Sequence, residues 1–181
     1  SVGVQPIVPP IVPNNNDAVG TSPNEVFIFF FFFVGIGPVD IEFTVSDSGG
    51  VTEYHFREGV FNGTGIPWTD YHMELGFGMG TDFARSTAGD GLDFDFPEQN
   101  SPVSMGPFTT IVVGEDTIDA YNGVVPPLVY VGYLHFHIDV PDGITAFTIR
   151  QYPTIDGTVP EPSSLLLASI LLAAAATKRR S

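Results

Sequence analysis

Leu134-His135-Phe136-His137-Ile138-Asp139-Val140 alternates an apolar with a polar side chain at every step. Only an extended chain turns that pattern into two chemically distinct faces, because successive β-carbons of a strand point to opposite sides while a helix scatters them around its axis. The same period of two recurs outward from this segment. Ile41, Phe43 and Val45 alternate with Glu42 and Thr44; Tyr71, Met73, Leu75 and Phe77 with His72, Glu74 and Gly76; Leu92, Phe94 and Phe96 with Asp93 and Asp95; Phe147 and Ile149 close the series. Turn clusters separate them at Ser46-Asp-Ser-Gly-Gly50, Asn62-Gly-Thr-Gly65, Asp90-Gly91 and Pro141-Asp-Gly143. Short strands at this spacing, with no helical period before residue 163, predict an all-β fold: an antiparallel β-sandwich of jelly-roll or immunoglobulin-like arrangement. One run departs from alternation. Val26-Phe-Ile-Phe-Phe-Phe-Phe-Phe-Val-Gly-Ile36 is apolar throughout, too short to span a bilayer, and is expected to be a strand buried on both faces. Exposed, such a run promotes aggregation.

A chain of 181 residues suits one core of this kind. With 43% hydrophobic residues and 16 Phe it has enough apolar surface to fold, which excludes wholesale disorder. Lys and Arg total 6 against 21 acids, a net charge of -15, and a surface that negative repels phosphate backbones, which excludes nucleic acid as a partner. The absence of cysteine removes disulfides, thiolate nucleophiles and Cys-ligated metals. It leaves the compartment open. The basic residues are unevenly spread: Arg57, Arg85 and Arg150 stand against 20 acids in residues 1–160, whereas Lys178, Arg179 and Arg180 face only Glu161 in the remainder. A basic end on an acidic body points to a targeting or membrane-proximal segment.

That end reads Val159-Pro160-Glu161-Pro162-Ser163-Ser164, then an apolar run to Ala176, then Thr177 and Lys178-Arg179-Arg180. Leu and Ala favour a helix, Ser163 or Ser164 can cap it, and Pro162 cannot lie inside it. The run from Leu165 to Ala176 gives a helix of about 18 Å, short of the roughly 30 Å hydrocarbon core. It inserts only with local thinning and snorkelling of Lys178, Arg179 and Arg180, which hold that end on the cytoplasmic side and leave the body outside. The order of polar spacer, apolar helix and basic stop at the chain end resembles the PEP-CTERM protein-sorting signal of Gram-negative bacteria. The resemblance implies an exosortase-type membrane protease as partner, with Val159, Pro160, Glu161, Pro162 and Ser163 as the sorting motif and Lys178, Arg179 and Arg180 as the membrane stop. It implies export, transient anchoring in the membrane and transfer to the cell surface or an exopolysaccharide matrix. The segments Asn62 to Gly76, Asp90 to Phe94 and Ile138 to Pro153 are similar to an ectodomain found before such tails in cyanobacteria, a resemblance that brings no catalytic residues with it. The chain accordingly divides into a Pro/Asn-rich arm (1–25), a β-sandwich ectodomain (26–153), a linker with the Pro-Glu-Pro element (154–162) and a hydrophobic helix with a basic tail (163–181).

Within the body, several groups invite chemistry. His135, His137 and Asp139 lie two apart on one strand, so two imidazoles and a carboxylate share a face and could hold zinc; the plainer alternative is a polar outer face above Leu134, Phe136 and Ile138. Asp90, Asp93 and Asp95 offer hard oxygen ligands suited to calcium, without the order of a calcium loop. Trp68 and Tyr71 could make an aromatic platform for a sugar ring, or a core corner. Asn62-Gly-Thr64 is a formal glycosylation sequon. None of the 20 acids is singled out as a hydrolytic pair, and no nucleophile elbow, His-Glu-x-x-His or phosphate loop occurs. The expectation is a non-enzymatic structural or adhesive surface protein without a cofactor. A carbohydrate-binding module is the alternative, and a glycan-active enzyme the second.

Overall fold

A computed structural model describes residues 4–6, 24–97 and 103–155; the tail helix, the sorting motif and most of the arm lie outside them. The strands are β1 (Val4–Pro6), β2 (Glu25–Phe33), β3 (Val39–Thr44), β4 (Val51–Asn62), β5 (Asp70–Phe77), β6 (Ala84–Arg85), β7 (Ser104–Met105), β8 (Thr110–Val113), β9 (Thr117–Tyr121), β10 (Val129–Pro141) and β11 (Ala146–Thr154). They form two sheets. One runs β1-β2-β4-β10-β7 and the other β3-β11-β5-β9-β8, with β6 attached to β5. No α-helix occurs among the described residues.

The alternation dictates the packing. Phe56 and Val60 of β4 and Leu134, Phe136 and Ile138 of β10 face Met73 and Leu75 of β5 and Phe147 and Ile149 of β11 in one shared core. Ring contacts cross between the sheets: Phe56 meets Phe147 edge-on at 6.4 Å, and Phe33 meets Trp68 at 5.3 Å. A polar link crosses as well. Glu58 of β4 is fully buried and its Oε1 accepts from Gln151 Nε2 of β11 at 2.9 Å, while Tyr71 of β5 donates to Gln151 Oε1 at 2.5 Å.

Two expectations are corrected here. Every described ladder is antiparallel except β2 with β4, which run parallel; β3 lies in the opposite sheet and makes the crossover that a parallel pair requires. The phenylalanine run is also buried on both faces only at its start, Val26 to Ile28, and on one face from Phe29 onward. Val26, Ile28, Phe31 and Phe33 point into the core, whereas Phe29, Phe30 and Phe32 are about half exposed. The cause is a bulge: the register with β4 shifts between Ile28 and Phe31, so one extra residue enters β2 and two consecutive rings face outward. Gly59 sits opposite that bulge, where a β-carbon would come within 2.8 Å of the Phe29 carbonyl oxygen.

The Leu92 to Phe96 alternation does not become a strand. Asp93 makes a single bridge to Asp139 of β10, Leu92 and Phe94 enter the core, and Asp95 is buried with its backbone in the left-handed region at φ 48°. Asp tolerates that region better than most side chains.

Candidate functional site

The outer face of the first sheet changes character along its length. At one end the β4–β10 register sets His137 opposite His55, Asp139 opposite Glu53 and His135 opposite Arg57. The parallel β2 adds Glu25 beside His55. The Asp93 bridge brings Asp95 onto the same patch, and one ligand atom from each of Glu53, Asp95 and His137 lies within 4.8 Å of the others. None of the three sees solvent to speak of: they are 0%, 4% and 3% exposed. His137 Nδ1 is in direct contact with Glu53 Oε1. The His55 ring stacks on His137 at 4.6 Å, and its Nδ1 makes no hydrogen bond, the nearest carboxylate oxygen being that of Glu25 at 3.7 Å. Burial, then the neighbouring His137, His135 and Arg57, push His55 down to about 4, so its ring is neutral at pH 7. His135 is half-buried, 5.7 Å from the His55 ring, and lowered in pKa by burial and then by Arg57 and His137.

Further along the same face the polar side chains give way to rings. Arg57 marks the boundary, its guanidinium over Phe27 at 5.2 Å and Tyr133 at 5.8 Å. Beyond it Phe32 stacks on Phe61 at 4.6 Å, and Phe30 lies nearly parallel to both Phe61 and Tyr130. Phe29, Phe30, Phe32, Tyr130 and Tyr133 are each 41–53% exposed, a contiguous aromatic surface of the kind that marks contact sites.

The other residues singled out in the sequence have different places. β10 carries His135, His137 and Asp139 on its outer side, but the groups converging on His137 are Glu53 and Asp95. Asp90 holds a turn, accepting from Ser86 Oγ at 2.6 Å, Thr87 N at 3.0 Å and Leu92 N at 3.1 Å; Asp93 accepts from Phe96 N at 3.0 Å. Trp68 and Tyr71 are 0% and 1% exposed, packed against Phe33 and each other, so neither offers a ring face to a sugar. This is the core-corner alternative: Tyr71 falls on the inward parity of β5 with Met73 and Leu75, and Trp68 enters the core ahead of that strand, from its isolated bridge to Val125. The sequon Asn62 is fully buried, with its amide donating to Ile66 O and Val125 O and its carbonyl accepting from Thr64. It organises the turn that supports Trp68 and offers no nitrogen to a glycan.

The opposite sheet holds a relay that the sequence did not suggest. His72 Nδ1 lies 2.7 Å from Asp119 Oδ1, and Nε2 lies 3.2 Å from Thr154 Oγ1. The connectivity is that of a hydroxyl–imidazole–carboxylate triad. Thr154 is 0% exposed, however, so a substrate carbonyl has no approach to its oxygen, and the relay acts as a clamp between β5, β9 and β11.

The molecule is thus an all-β, two-sheet body followed by a tail of separate character. Residues 158–180 match the PEP-CTERM protein-sorting motif, so the tail that begins at Thr158 is a sorting signal, and the motif implies export and sorting to the cell surface by an exosortase. No curated protein and no solved structure matches the chain significantly. No helix among the described residues is long and apolar enough to cross a membrane.

Proposed function

We propose that the body is a non-enzymatic structural or adhesive element of a bacterial surface or exopolysaccharide matrix, held in the membrane through residues 163–181 until an exosortase removes the tail. The observation that carries this reading is the sorting motif at 158–180. Its chemistry supports the order of events: a polar Pro160-Glu161-Pro162 element precedes the apolar run, and Lys178, Arg179 and Arg180 stop it. In the producing organism the recovered protein is expected to have lost the residues beyond about 160, as read by intact mass. Replacing Pro160, Glu161 and Pro162 by Ala should leave the full-length mass in the membrane fraction. Equal release and identical mass for the triple variant and the parent would remove the motif from the pathway.

The exposed aromatic surface favours a second reading, in which the body binds a neutral glycan of the matrix. The half-exposed rings of Phe30 and Tyr130, tilted 25° to each other, suit stacking on the apolar faces of sugars, and the net charge of -15 disfavours anionic polymers. Phe30→Ala combined with Tyr130→Ala should weaken retention on neutral matrix polysaccharide about tenfold or more while leaving the circular dichroism spectrum unchanged. Undiminished retention removes the aromatic surface from binding, and a change from oligomer to monomer in the double variant assigns it to self-association instead.

A further inference from the structure

We propose that Glu53, Asp95 and His137 form a binding site for a divalent first-row transition-metal ion, with Zn2+ as its representative. The three groups arrive from three separate segments: β4, the bridge segment following Asp93, and β10. Their ligand atoms nevertheless lie within 4.8 Å of one another. That spacing lets three donors close on one cation with small side-chain movements, since metal–oxygen and metal–nitrogen bonds are about 2.0–2.2 Å. All three are more than nine-tenths buried. His137 Nδ1 is already in contact with Glu53 Oε1, so an imidazole and a carboxylate face one another where a divalent cation would take the place of the proton between them.

A second observation points the same way. His55 is 5% exposed, its Nδ1 has no hydrogen-bond partner, and its ring lies flat on that of His137 at 4.6 Å. A buried imidazole nitrogen left without a donor or acceptor is costly, and here it belongs to the ring stacked on His137, one of the three converging groups.

The donor set selects the ion. One imidazole with two carboxylates suits zinc and its first-row neighbours, while calcium prefers six or more oxygens and magnesium an octahedron of oxygens with its own waters. The set also differs from the His135, His137 and Asp139 combination that strand spacing alone suggests, which makes the two separable.

The test uses the full 181-residue chain, stripped with chelator and titrated with Zn2+, Mn2+, Ca2+ and Mg2+ by calorimetry and thermal unfolding. One equivalent of Zn2+ should bind, and at a hundredfold excess over Kd the unfolding midpoint should rise by about 5–10 °C. Ca2+ and Mg2+ at the same concentration should leave it in place. Asp95→Asn and His137→Gln should each weaken Zn2+ binding at least tenfold, and His135→Gln should leave it within about twofold. Each variant is checked for a native circular dichroism spectrum, and if one fails to fold the other carries the comparison. Absence of Zn2+ binding by the parent, parental affinity in both Asp95→Asn and His137→Gln, loss on His135→Gln, or preference for Ca2+ would each overturn the assignment.

Discussion

Truncating Trp68 to Ala should cost the fold about 3–5 kcal/mol while leaving any glycan retention of the folded protein unchanged. The ring is fully buried. It meets Phe33 edge-on at 5.3 Å and Tyr71 at 6.2 Å, and its Nε1 donates to Thr64 Oγ1 at 3.1 Å. Its backbone is pinned too, through a reciprocal pair of 3.0 Å hydrogen bonds with Val125. Removing the indole therefore opens a cavity at the junction of the two sheets and leaves the Thr64 hydroxyl without its donor. Domains of this size are stable by about 5–15 kcal/mol in all, so the loss is a large share. Denaturant titration should show a lower midpoint with an unchanged slope. A loss under about 1 kcal/mol would contradict the core placement of the ring.

The second large effect is a dependence of stability on pH through Glu58. Burial raises this carboxyl from an ordinary value of 4.5 to about 8, against the opposing hydrogen bond from Gln151. Its Oε2 makes no hydrogen bond. The sign follows from proton counting. Below pH 4.5 the group is protonated in both states and its contribution is fully present. Between 4.5 and about 8 the folded chain keeps a proton that the unfolded chain has released, so stability falls by about 1.4 kcal/mol per pH unit, on the order of 3–5 kcal/mol in total. Above about 8 this group adds no further slope. Glu58→Gln keeps an acceptor for Gln151 and carries no charge, so the variant should resemble the parent near pH 4.5 and exceed it in stability increasingly up to pH 8. Parallel stability–pH curves for the two proteins would show that Glu58 is not held neutral in the core.

Parity arguments reach some of these residues and miss others. The strands β3, β5, β10 and β11 follow from period-two alternation, because each puts hydrocarbon on one side and polar groups on the other. β4 escapes that filter, since Glu58 and Asn62 occupy inward positions where apolar residues belong; Tyr54, Phe56 and Val60 are the signal that betrays it. Glu53 is missed with it. Asp95 is misread for the opposite reason: Asp93, Phe94 and Asp95 alternate perfectly, yet the segment makes only one bridge to β10, its backbone turns at Asp95, and the carboxylate is buried beside Glu53 and His137. The bulge in β2 is equally silent in a run where five consecutive residues are Phe. Sequence spacing also puts Trp68 and Tyr71 near one another without saying on which side of the sheet they fall. The tail, by contrast, is legible because its signal is an order of compositions along the chain and needs no third dimension.

The position of β11 decides how the body bears a pull. It is an interior strand, bonded along one edge to β3 and along the other to β5, and the chain runs on from its far end at Ile155 into the tail. Tension arriving from beyond Ile155 therefore meets the β5 ladder first, at Thr154 to Tyr152, and from Gln151 inward it meets the β3 and β5 ladders together. Rupture under force is governed by the rate of unfolding, and here that rate includes the freeing of a strand held on both sides over Thr148 to Gln151.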